Sequence, residues 1–109
     1  MGRDEQEAAY FTLLRAREEL DGIRRYSEYL AEEARRLRRF MAEGQAHADG
    51  IHRRLRRAIR HTDTALAEAV EARLAIIAEE LRSRPDREAA AEAFVTECER
   101  EHAALQRGS

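Results

Sequence analysis

Through residues 5–42 the apolar side chains recur at alternating steps of three and four: Leu13, Ala16, Leu20, Ile23, Leu30, Ala34, Leu37 and Met41. Ser27 holds the one place in that series where an apolar residue is missing. This is the spacing of one helix face kept in phase for about four heptads. The stretch has no proline, and its only glycine is Gly22. A helix of that length reaches roughly 60 Å at 1.5 Å per residue. It cannot hide its own apolar stripe, so the remaining chain must fold back along it.

The remainder supplies the means. A second apolar stripe runs through Ile51, Leu55, Ala58/Ile59, Thr62, Leu66, Ala69/Val70, Leu74, Ile77 and Leu81. Residues 44–50 (GQAHADG) are bracketed by glycines and mark a first turn, with Gly44 suited to end a helix and Asp49 to cap the next. Residues 83–86 (SRPD) mark a second turn, because Pro85 suits the first position of a helix and Asp86 favours its positive end. A third helix would then point Ala90, Phe94, Cys98 and Leu105 inward. The expected fold is all-α, a single helical-bundle domain. It is a long antiparallel hairpin of helices at about 4–43 and 51–82, followed by a shorter helix at about 86–106. The short helix can cover only one end of the hairpin. At the other end Leu37, Phe40, Met41, Ile51, Leu55 and Ile59 would stay under-covered, which points to a homo-oligomer.

Composition narrows the class. Charged residues make up 39% and aromatics 6% of the 109 residues, as suits helices with charged outer faces and small aliphatic inner ones. No run approaches the roughly 20 apolar residues of a membrane span, and the first residues are too acidic and polar for a signal peptide. A soluble, cytoplasmic protein is therefore expected. All 20 basic residues are Arg, and Asn is absent. A GC-rich genome produces that alphabet, and so does a designed sequence; the Met-Gly start and Gly-Ser end resemble cloning scars.

Charge is segregated along the chain. Residues 35–61 hold nine Arg (Arg35, Arg36, Arg38, Arg39, Arg53, Arg54, Arg56, Arg57 and Arg60) against Glu43 and Asp49, a net of +7. Eleven Arg against 20 acids elsewhere leave −9, and the whole chain carries −2. Paired Arg beside an apolar stripe can grip phosphates bidentately, so this end is a candidate contact for nucleic acid or another anionic partner. Its alternative is a solvated face whose Arg stems cover apolar surface. Within it, Arg56 and His61 resemble the short Arg-x4-His motif of the HEPN-type ribonucleases, which are also small and all-α. The resemblance covers those six residues only, with Arg57 at the position after the Arg.

Cys98 is the only cysteine, so no internal disulfide can form. In the three-helix arrangement it would lie level with Ala69, Ala72 and Gly22, a layer of small residues with room for a guest. That makes it a candidate small-molecule or cofactor pocket, in its sharpest form one for haem with the Cys98 thiolate as metal ligand and Arg25 and Arg73 for the propionates. The alternative for Cys98 is a small buried hydrophobe. Cys98 and His102 stand four apart, but two ligands do not make a zinc site, and no acid–base set points to catalysis.

Overall fold

Ala, Leu, Glu and Arg are strong helix formers and fill most of this chain. In the computed structural model they form two long helices, α1 (Gly2–Asp49) and α2 (Arg53–Arg107). The structure describes residues 2–49 and 53–108, with side chains described for 2–44 and 64–108. No strand occurs among the described residues. Asp4 and Glu5 stand in the first turn of α1 and Arg107 in the last turn of α2, each charge matching the helix dipole it meets.

Two expected turns are not formed where the glycines and the proline suggest. α1 continues through Gly44 to Asp49, so Gly44 does not end a helix and Asp49 does not cap the next one. Residues 83–86 are helical, and α2 runs unbroken through Pro85. The separate third helix at 86–106 is thus the second half of α2. A proline inside a helix costs roughly 3 kcal/mol and disfavours the helical state of the residue before it. What outweighs this is the seam, whose rhythm does not change at the proline. In α2 a continuous series of buried or half-buried positions runs through Ala67, Val70, Leu74, Ile77, Leu81, Arg84, Glu88, Ala91, Val95, Cys98, His102 and Leu105, with Arg73, Ala78, Glu80 and Ala103 half-buried beside it. The steps of that series alternate three and four throughout. Pro85 itself lies off the seam and is exposed.

α1 matches this with its own unbroken seam: Gln6, Ala9, Leu13, Ala16, Leu20, Ile23, Ser27, Leu30, Ala34, Leu37 and Met41 are all buried or half-buried. The expected stripe of α1 is therefore the observed one. In α2 the phase differs from expectation. Leu66, Ala69, Ala90 and Phe94 are exposed, and Val95 with Ala91 takes the inward place given to Phe94 and Ala90.

The chain divides into two compact units, Met1–Ser27 with Ser83–Ser109, and Glu28–Arg82. Each is a stretch of α1 packed on a stretch of α2. In the first, Leu13, Ala16, Leu20, Val95 and Cys98 form the core, joined by Ala91. There the Gln6 side-chain amide donates to the Leu105 carbonyl at 2.9 Å, placing the start of α1 beside the end of α2, which is the antiparallel sense. In the second, Leu30, Ala34 and Ile77 form the core with Leu37, Leu74 and Leu81 against it.

Candidate functional site

The residues expected to build a pocket fall in both units, Cys98, Gly22 and Arg25 in one and Ala69, Ala72 and Arg73 in the other. Cys98 points inward as expected and is 4% exposed, but its companions are Leu13, Ala16, Leu20 and Val95. Gly22 faces open space: a Cβ placed there would touch nothing within 4 Å. Ala69 and Ala72 are exposed, and with Arg73 they belong to the other unit. The physical reason is the missing turn at Pro85. Cys98 and Ala69 lie on one continuous helix, so the chain never folds back to bring them level. Arg25 pairs with Asp21 at 2.8 Å on the surface of α1. Arg73 forks onto Glu33, its Nε and Nη2 donating to Oε1 and Oε2 at 2.9 Å each. That hydrogen bonding holds the Glu33 carboxyl below the usual carboxylate range.

What Cys98 does border is a groove of about 340 Å³ lined by Glu5, Ala8, Ala9, Thr12, Glu101 and Leu105. Burial pushes the Cys98 thiol pKa up, and the carboxylates of Glu101 and Glu97 add to this. Both effects favour the neutral thiol, the less nucleophilic form. A second groove, of about 240 Å³, is lined by Ala16, Glu19, Ile23, Arg87, Ala90, Ala91 and Phe94. Alanines at the rim and floor leave both open. His102 rests against Tyr10, with ring centroids 5.7 Å apart, and Tyr10 meets Phe11 at 5.9 Å. Among the described residues no three His, Cys, Asp or Glu side chains are grouped as a metal would need.

On the Arg-rich end, Arg35 is exposed and its Nη2 donates to Glu32 at 2.6 Å, which lowers the Glu32 pKa. Arg36, Arg38 and Arg39 are all exposed. The side chains of Arg53, Arg54, Arg56, Arg57 and Arg60, and of His61, lie outside those described.

The most specific polar arrangement lies where no site is expected. Arg84 is 8% exposed and occupies a seam position. Its Nε donates to Ser27 Oγ at 3.1 Å and its Nη2 to the Ile23 carbonyl at 3.0 Å. Its guanidinium carbon sits 4.7 Å from the centre of the Tyr26 ring, a cation–π contact. Ser27 Oγ donates in turn to the Ile23 carbonyl at 3.1 Å, closing a triangle of bonds. Arg84 is the residue before Pro85, so these ties hold in helical form the residue that the proline most disfavours. Nearby, Arg24 donates to Glu88 at 2.8 Å and to Glu92 at 2.7 Å. The sequence does carry a signal for this layer: Ser27 breaks the stripe of α1, and the three–four rhythm of α2, carried across Pro85, puts Arg84 in the matching position. A buried polar pair in a largely apolar seam is the kind of contact that favours one register over others.

The chain matches no protein-family model, and no curated protein or solved structure shows significant similarity to it.

Proposed function

We propose that this chain is a self-associating helical interaction module whose assembled form is a helical bundle, with its Arg-rich end turned toward an anionic partner. One observation carries the reading. Among the described residues the large apolar side chains Tyr10, Phe11, Tyr26, Tyr29, Phe40, Leu66, Ile76 and Phe94 are each between 42% and 60% exposed. Two helices packed on one seam leave their flanks uncovered, and more helices are the usual cover.

Haem ligation has less to stand on. It would need a thiolate where burial favours the thiol, and the groove beside Cys98 offers Glu5 and Glu101 where propionates would want cations. Contact of the Arg-rich end with nucleic acid rests on the charge count of residues 35–61 and the exposure of Arg36 and Arg39.

Light scattering over a concentration series tests the main reading. A dimer or higher species is expected at ~10 μM and above, with dissociation on dilution. A mass equal to one chain throughout would overturn it.

A further inference from the structure

Pro85 lies inside α2 and has no N–H to give the carbonyl of Leu81. The hydrogen-bond ladder of α2 is therefore weakest at this point. The division into two units falls at the same place, between Arg82 and Ser83 on α2 and between Ser27 and Glu28 on α1. The two helical stretches of the unit Met1–Ser27 with Ser83–Ser109 are joined through Glu28–Arg82 and by no turn of their own. Their core mixes Ala16, Ala91 and Cys98 with Leu13, Leu20 and Val95, and two grooves open beside it. A helix pair with few large buried side chains is the kind of element that opens locally.

Arg84 works against that opening. It is 8% exposed, stands next to Pro85, and bonds across the seam to Ser27 Oγ and the Ile23 carbonyl, with its guanidinium 4.7 Å from the centre of the Tyr26 ring. All these residues belong to the one unit. Arg24 also reaches across to Glu88 and Glu92, but its side chain is 48% exposed and such pairs hold little. We infer that Arg84 is a latch: when its bonds to Ser27 and Ile23 break, Met1–Ser27 and Ser83–Ser109 part and reclose as one cooperative piece, while Glu28–Arg82 stays folded. The second unit keeps its own core of Leu30, Ala34 and Ile77 and the Arg73–Glu33 fork, which share no residue with the latch. Opening uncovers Leu13, Leu20, Val95 and Cys98. The device needs no second copy of the chain and does not depend on self-association.

Cys98, 4% exposed in the closed unit, reports the opening. Excess N-ethylmaleimide is added to the native protein at one protein concentration throughout, and the rate of thiol labelling is followed. Arg84→Ala weakens the closed form alone, so labelling is expected to rise about 5- to 30-fold. Ile77→Ala weakens a core that is folded in both the closed and the opened form, so labelling is expected to keep the unmodified rate. Pro85→Ala gives the Leu81 carbonyl its donor and is expected to slow labelling. If Ile77→Ala accelerates labelling as Arg84→Ala does, Cys98 is reached only when the whole chain unfolds, and the inference falls. It falls equally if Arg84→Ala changes nothing, since the reagent then enters without the latch. Labelling that Pro85→Ala does not slow would overturn the proline as the weak point.

Hydrogen exchange of the unmodified protein tests the same inference without a substitution. Backbone amides of residues 6–27 and 86–104 are expected to share one level of protection, below that of residues 30–37 and 70–81. Equal protection in the two units would overturn separate opening. Protection that climbs steadily from residue 6 to residue 27 would show fraying of the helices in place of a latched piece.

Discussion

The two units share one heptad rhythm and fill it differently. The core of Glu28–Arg82 is Leu30, Ala34 and Ile77, backed by Leu37, Leu74 and Leu81. The core of the other unit contains Ala16, Cys98 and Ala91 beside Leu13, Leu20 and Val95, and it gives one seam layer to the polar pair Ser27 and Arg84. Branched aliphatic side chains reach across a two-helix seam and fill it. Alanine and cysteine do not, and the unfilled space opens at the surface as grooves. Among the described residues, one unit sets mainly branched aliphatics across its seam, while the other mixes alanine and cysteine with them, adds a polar layer and carries two recessed grooves. The difference shows that a heptad pattern specifies the pairing of helices without specifying how tightly they close.

Single substitutions should break that contrast if it is misjudged. The largest effect is expected at Ile77, which is 1% exposed. Ile77→Ala should cost about 2–5 kcal/mol, through lost burial and the cavity left behind. Cys98→Ala, in the looser seam, should cost about 1 kcal/mol or less, since a single small group leaves a site already bordered by a groove. Urea unfolding followed by helical circular dichroism, at matched protein concentration, compares the two. Equal losses would mean that the seam of the grooved unit is as tightly filled as the leucine-rich one.

Arg84 comes next. Arg84→Ala removes two hydrogen bonds and the contact with Tyr26, and leaves Pro85 without its tie. A loss of about 1–3 kcal/mol is expected. Arg84→Lys should recover little, because an ammonium group has no fork to span Ser27 Oγ and the Ile23 carbonyl at once. Full recovery with Lys would show that only the charge over Tyr26 matters.

The α1 half of this seam is legible in the residue pattern alone. Every apolar position expected on the α1 stripe, from Leu13 to Met41, is on the observed seam, because its three–four spacing is broken only at Ser27 while the other apolar residues of α1 recur too sparsely to form a second stripe. α2 misleads for two reasons. Leu66 and Phe94 are large and apolar yet stand at flank positions, so reading them as core shifts the phase. Pro85 with Ser83 and Asp86 has the chemistry of a turn, and that local chemistry is outweighed by a seam that continues through it. The expected level of Cys98, Ala69 and Gly22 rested on the same turn, where α2 is continuous instead. Arg84 is hidden because a charged residue is ordinarily a surface residue. Only its match to Ser27 across the seam marks it.

The smallest effect concerns pH, and it belongs to the unit without the buried cation. The Glu33–Arg73 fork lies partly in solvent, with side-chain exposures of 23% and 40%, so its weight at neutral pH is modest. Its signature is in the direction of its pH dependence. The bond from Arg73 lowers the Glu33 pKa in the folded protein relative to the unfolded chain. As pH falls, the unfolded chain takes up that proton first. The stabilisation is therefore complete above the ordinary glutamate value of about 4.3 and is lost as pH falls through the lower folded value. Arg73→Gln should remove this contribution, so its melting temperature should lie below that of the unmodified protein at pH 7 and approach it at the acid end. Thermal melts at constant ionic strength across that interval would show the two curves converging. A constant separation down to the lowest pH would mean that the apolar stem of Arg73, and not its fork on Glu33, is what the unit loses.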